Sequence, residues 1–241
     1  MSLRIGFDMD GVLADFASAY RDVEATFPGG EAIAPVPAAT ESAPPQPEAA
    51  PELNGDAEAA SDPAVNVYEQ RRRREAVWAA IERTSDFWMT LKPTREGAVR
   101  RLHALMMQHR WEVFFITQRP ETAGETVQRQ TQRWLVDQGF DLPSVFVIHG
   151  SRGAAAAALR LDFHVDDTTE HCLDVMSSST ARTILISPEG ERAAVSVRKL
   201  GIATASNIGE ALDILEQATA AQANPSLFRR LAAMVGWLPR R

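Results

Sequence analysis

"LRIGFDMDGVLADF", residues 3–16, is an apolar run that ends by setting two carboxylates, Asp8 and Asp10, either side of Met9 and following them at once with Gly11. Like charges so close together repel, and neither is buried cheaply. The stretch therefore reads either as a turn with acidic capping residues or as a strand delivering charge to a site. The rest of the chain favours the strand. Apolar runs recur at 113–117, 145–148, 163–165 and 183–186, separated by amphipathic segments near 95–109, 123–138, 153–160, 169–178 and 207–219. Short, continuously apolar strands alternating with helices predict an α/β fold whose mainly parallel sheet is covered on both faces.

In such sheets ligands gather beyond the carboxyl ends of the strands, where strand order switches. The first run ends in Asp8, the second in Thr117, the third in His149-Gly150-Ser151-Arg152 and the fourth in Asp166-Asp167. Four strand ends spread along the sequence thus bring polar groups to one edge. Mg²⁺, a hard cation that prefers oxygen, suits them: Asp8, the main-chain carbonyl of Asp10 and a carboxylate of the Asp166-Asp167 pair could supply three positions.

These motifs, in this order, resemble the signatures of the haloacid dehalogenase superfamily: Asp8-Met9-Asp10-Gly11-Val12, Thr117 at a strand end, a basic residue at Arg152, and Asp166-Asp167. The match covers residues 1–16 and about 95–190. Within that superfamily, "DMDGVLADF" (8–16), "FWMTLKP" (87–93) and "FFITQRP" (114–120) are similar to the cytosolic type C 5'-(deoxy)nucleotidases. The resemblance implies a Rossmann-like core with a small helical cap and a Mg²⁺-dependent phosphomonoesterase working through an aspartyl-phosphate, with a nucleoside 5'-monophosphate as leading substrate. Asp8 would be the nucleophile, Asp10 the acid and then base, and Thr117 a hydroxyl donor to the phosphoryl group. Arg152 would supply a fixed positive charge. Main-chain groups of Met9, Asp10, Gly11 and Gln118 would lie near the phosphoryl group, at least one of Gln118 and Arg119 would face substrate, and Trp88 would help to close the pocket. Asp167 would be the direct metal ligand, with Asp166 behind it. Lysine is usual where Arg152 stands, and arginine does not replace a point charge conservatively.

The chain is 241 residues with a net charge of −7. Seven of its 32 acids and none of its 25 Lys and Arg fall within residues 29–63, so the remainder is formally neutral and gives no reason to expect a nucleic-acid partner. That stretch, "GGEAIAPVPAATESAPPQPEAAPELNGDAEAASDP", is rich in Ala, Pro and Glu, has no aromatic residue and shows no period; it reads as a disordered insertion. "VYEQRRRREAVWAAIERTSDFWMTLKP" (67–93) has helical spacing and, with residues 16–28, forms the expected cap. The expected division is a core of 1–15 plus 94–220, a cap insertion of 16–93, and a basic amphipathic helix at 221–241 that docks on the core or meets a partner. No segment reaches the roughly 18 uncharged apolar residues of a membrane span, and with the lone Cys172 the chain reads as cytoplasmic.

Several residues have a plainer reading. Asp15 suits a helix N-cap. Phe87 and Trp88 suit core or cap packing as well as a pocket wall. Gln128, Arg129 and Gln132 suit the solvent face of a helix. The five histidines show no metal-ligand spacing, and only His149, at a strand end, stands out.

Two rival functions remain at this level. One is hydrolysis of another small phosphoester such as a sugar phosphate. The other is a catalytically weak domain that binds phosphorylated ligands as a regulatory module.

Overall fold

The computed structural model describes residues 2–27, 63–187, 196–222 and 224–237. The proposed disordered stretch lies outside them, except for Pro63, which opens a helix. Six parallel strands form one sheet in the order β3-β2-β1-β4-β5-β6: β1 Arg4–Asp8, β2 Glu112–Thr117, β3 Ser144–Val147, β4 Phe163–Asp166, β5 Arg182–Ile186 and β6 Ala203–Ala205. The chain winds outward from β1 through β2 to β3, then returns to β4 on the other side of β1. The switch point therefore lies between β1 and β4. Sequence patterning misses β6, whose three residues "ATA" are too short and too small to register as an apolar run.

Successive strand residues point to opposite faces. Ile5 and Phe7 of β1 enter the larger core with α3 (Ala98–His109), α4 (Val127–Asp137), α7 (Ile208–Ala221) and α8 (Pro225–Val235). On the opposite face, Ile116 packs with Ala156 of α5 (Arg152–Ala158) and Val175 of α6 (Thr169–Ser178). α8 is docked on the sheet rather than free. Trp237, just beyond it, donates its indole N–H to the Thr183 carbonyl at 2.9 Å and lies against Phe163.

Two further helices cross the carboxyl edge of the sheet: α1 (Phe16–Glu24) and α2 (Pro63–Arg83), followed by a 3₁₀ turn at Phe87–Met89. α1 starts where it does because the Asp15 carboxylate accepts the Ser18 amide at 3.0 Å, a side-chain N-cap. The ring of Phe16 stacks on Trp78 of α2 at 5.5 Å, which holds the two helices together above the strand ends. The end of α2 is tied to the loop after β2 by two backbone bonds, Asp86 N–H to Ala123 O and Ala123 N–H to Glu82 O, both 2.7 Å.

Candidate active site

β1 and β2 run in register, with Asp8 level with Ile116, so Asp8 and Thr117 emerge side by side at the sheet edge. β4 brings Asp166 up on the other flank. Carboxylate oxygens of Asp8, Asp166 and Asp167 all lie within 4.8 Å of one another. Asp8, Asp10, Gly11, Thr117, Gln118, Arg119, Arg152 and Asp167 all line a single cavity of about 150 Å³, closed from above by Phe16, Ala17 and Trp78.

The acids hold one another in unfavourable company. Burial first, then the charges of Asp166, Asp167 and Asp10, push the Asp8 carboxyl well above its ordinary range, against the pull of Arg152. Asp167 is raised to about 6 by burial and by Asp166. Asp166 goes the other way. Burial alone would raise it, but hydrogen bonds from His164 and His171 and the Arg152 charge hold it well below the usual carboxylate range.

Asp166 accepts from the Thr168 amide and His171 through one oxygen, at 2.9 and 3.1 Å, and meets His164 through the other at 3.0 Å. Its oxygens are largely occupied by protein, whereas Asp167 has its carboxylate in the cavity wall. Sequence reading treated His164 and His171 as ordinary packing or surface histidines; the structure puts both against Asp166. The signal available was His164 itself, a polar residue inside the buried strand "FHVD". His149, the histidine singled out from sequence, lies exposed beyond the end of β3 and outside the cavity.

Arg152 is the first residue of α5, whose N-cap Ser151 fixes the turn before it. Its guanidinium reaches Asp8 at 2.7 Å, donates to the Ile116 carbonyl at 2.9 Å and lies 3.5 Å from Asp166. The arginine fork thus links three strands, β1, β2 and β4, which a lysine ammonium could do less directionally.

Gly11 explains its own identity. Its φ is +79°, in the left-handed region, and a Cβ there would fall 1.9 Å from Asp167 Oδ2. The two ends of the motif set are therefore in direct contact. One expectation needs correction: the Gly11 amide is committed to the Ala14 carbonyl at 2.9 Å and forms the turn rather than an anion donor. The side chain of Met9 is fully buried in the core, which leaves its main chain as the part of it next to the site.

Gln118 lines the cavity, its side-chain amide donating to the Gly150 carbonyl at 2.8 Å. Trp88 is 1% exposed and absent from the cavity wall; it stands behind Arg119, whose guanidinium lies 4.7 Å from its ring centre. Phe16 and Trp78 occupy the wall instead. Their part was not legible in sequence, because it depends on how α1 and α2 cross.

Comparison with solved structures places this architecture. A haloacid dehalogenase-like family hydrolase from Streptococcus pneumoniae aligns over 89% of this chain and 98% of its own, with a TM-score of 0.51 at 13% identity. The chain has a haloacid dehalogenase-like fold. Weaker likenesses run to a chain from Thermotoga maritima assigned as a beta-phosphoglucomutase (TM-score 0.46, 17% identity, 90% and 99% covered) and to 2-haloacid dehalogenase from Pseudomonas syringae (TM-score 0.46, 13% identity, 90% and 99% covered). No protein-family model and no curated protein matches the chain. Within the haloacid dehalogenase-like fold, the cavity sits at the switch point between β1 and β4, the place general to open parallel sheets.

Proposed function

We propose that the protein is a Mg²⁺-dependent phosphomonoester hydrolase acting through an aspartyl-phosphate on Asp8, with a nucleoside 5'-monophosphate as leading substrate. The observation that carries this reading is the meeting of Asp8, Asp166 and Asp167 within 4.8 Å beside Arg152 and Thr117. Three carboxylates so close, with Asp8 and Asp167 pushed up in pKa by burial and mutual repulsion, form a donor set that a hard divalent cation would relieve. Asp8, Asp167 and the Asp10 carbonyl would hold the ion, with Asp166 orienting the cluster from behind. Bound there, Mg²⁺ would supply charge neutralisation at the phosphoryl oxygens.

The chain's own groups suit the remaining tasks. An Asp8 oxygen is the nucleophile toward phosphorus. Arg152, already 2.7 Å from Asp8, balances charge on the nucleophile and on the oxygens transferred to it. Thr117, buried at the end of β2, lines the cavity, and its hydroxyl would donate to the phosphoryl group. Asp10 is the proton donor to the leaving oxygen and then the acceptor from water. Phe16 and Trp78 offer flat apolar walls to the organic part of the substrate, which favours a ring-bearing group.

The test is hydrolysis of a panel of nucleoside monophosphates, sugar phosphates and an aryl phosphate with Mg²⁺, alongside Asp8→Asn and EDTA. Activity that depends on Asp8 and on Mg²⁺ is the expected result, and turnover surviving either change would refute the chemistry. A sugar phosphate preferred over every nucleotide would replace the substrate assignment alone. Ligand binding without turnover in the wild type would instead favour a regulatory phosphate-binding module.

A further inference from the structure

Arg119 is buried at the cavity wall, and each of the three nitrogens of its guanidinium donates to protein. Nε and one terminal nitrogen hold the two oxygens of Asp10 at 2.9 and 2.7 Å, the other terminal nitrogen donates to Thr131 Oγ1 at 3.0 Å, and one face lies 4.7 Å from the Trp88 ring centre. Its supports are fixed in turn. The Trp88 indole donates to the Pro120 carbonyl at 3.0 Å, and its amide donates to Gln130 Oε1 at 3.1 Å. Arg119, Trp88, Gln130 and Thr131 are all dry, whereas half-buried Pro120 and Asp10, whose side chain is 25% exposed, line the cavity.

We infer that Arg119 is a positioning residue: it does not bind substrate but clamps the Asp10 carboxyl group in the orientation from which protons pass to and from the reacting oxygens. The inference rests on the phosphatase reading above. A two-pronged pair fixes the plane of a carboxylate as well as its place, which a single contact cannot do. Arg119 takes one lone pair on each oxygen, and a carboxylate has about four such sites, so one on each oxygen remains for chemistry.

In the first half-reaction the Asp8–phosphorus bond forms as the bond to the leaving oxygen breaks. That bond's electron pair goes to the leaving oxygen, which takes the Asp10 proton. In the second, a water oxygen bonds to phosphorus, its proton returns to Asp10, and the electron pair of the Asp8–phosphorus bond returns to Asp8. Both transfers need the same carboxyl orientation, and the clamp supplies it.

The experiment compares wild type and Arg119→Ala on two esters: glycerol 2-phosphate, whose alkoxide must be protonated to leave, and 2,4-dinitrophenyl phosphate, whose leaving group needs no proton. kcat/KM reports the steps up to phosphorylation of Asp8. The variant should lose ~30-fold or more on the alkyl ester, a large part of the roughly 100-fold or more that proton transfer contributes, and no more than about threefold on the aryl ester. In an Asp10→Asn background, adding Arg119→Ala should change neither value by more than about threefold, because the two residues act as one unit. Thr131→Val, which removes only one support of Arg119, should show the same ester selectivity at smaller size and guards against misfolding of the alanine variant. Equal losses on both esters would mean that Arg119 meets the phosphate or merely maintains the fold, and would overturn the inference, as would no loss on either. A wild type inert toward the aryl ester would sink the phosphatase reading and this inference with it, whereas the ester pattern in an active enzyme bears on Arg119 alone.

Discussion

Asp8 and Asp10 stand two residues apart and each has its own arginine, but the two pairs live in different surroundings. Asp8–Arg152 belongs to the sheet: both partners are dry, and the arginine also holds a β2 carbonyl and approaches Asp166 of β4. Asp10–Arg119 belongs to the seam between sheet and cap, with Asp10 partly open to the cavity and Arg119 packed on Trp88 from the 3₁₀ turn. Met9 stands between the two carboxylates and the chain turns at Gly11 just after them, and each like charge meets a different cation. A chain that places two acids this close thereby offsets part of their repulsion without burying either unpaired. Under the proposed mechanism, the first pair would hold the nucleophile and the second a proton carrier that must meet water.

The comparison can be broken by stability. Arg152→Ala leaves Asp8 and Asp166 buried beside a lost charge and should cost about 3–5 kcal/mol, read from the urea midpoint. Arg119→Ala leaves a carboxylate that water can reach, and should cost nearer 1.5–3 kcal/mol. Equal costs would mean that the two pairs do not differ as described.

The next test addresses the turn that follows the acids. Gly11→Ala forces a side chain into a +79° φ and onto Asp167 Oδ2, so Mg²⁺ affinity by calorimetry should fall by roughly 10–100-fold. The strain itself costs about 1–2 kcal/mol.

A pH series sharpens the same point. The folded-state pKa of Asp167, about 6, lies above its unfolded value of ~4. Its protonated form therefore favours the metal-free fold below about pH 4, and that contribution is lost as the pH rises through 6. Mg²⁺ requires the carboxylate, so the rise in Tm produced by a fixed Mg²⁺ concentration should be larger at pH 7.5 than at pH 5. An equal rise at both values would remove Asp167 from the metal site. The smallest effect belongs to Asp15, an acid near the cluster but outside it. Asp15→Ala should cost about 1 kcal/mol through the lost N-cap of α1 and leave Mg²⁺ affinity unchanged.

Much of this site was legible in the sequence because acids at the ends of apolar runs are a local pattern. Asp8, Asp10, Thr117, Asp166 and Asp167 each sit where a strand stops, and a parallel sheet must bring such ends to one edge. What escaped depends on three-dimensional placement. The sequence expects at least one of Gln118 and Arg119 to face substrate, and both line the cavity; the partners of Arg119, namely Asp10, Thr131 and Trp88, come from three separate stretches of chain and show only in the fold. Trp88 reads in sequence as a pocket wall or as packing, and it lies buried behind Arg119. His164 and His171, seven residues apart, show no ligand spacing because they converge on a carboxylate rather than on a shared ion. β6 was lost for lack of side-chain bulk.

The crossing of α1 and α2 carries a practical consequence. Phe16 touches Trp78, which faces the cavity, at 5.5 Å and Trp88, which does not, at 5.6 Å. One indole is thus placed to sense an occupant directly and the other only through rearrangement of its neighbours. Intrinsic fluorescence of single-tryptophan versions of the protein would tell contact with a guest apart from a rearrangement of α1 and α2, without any label.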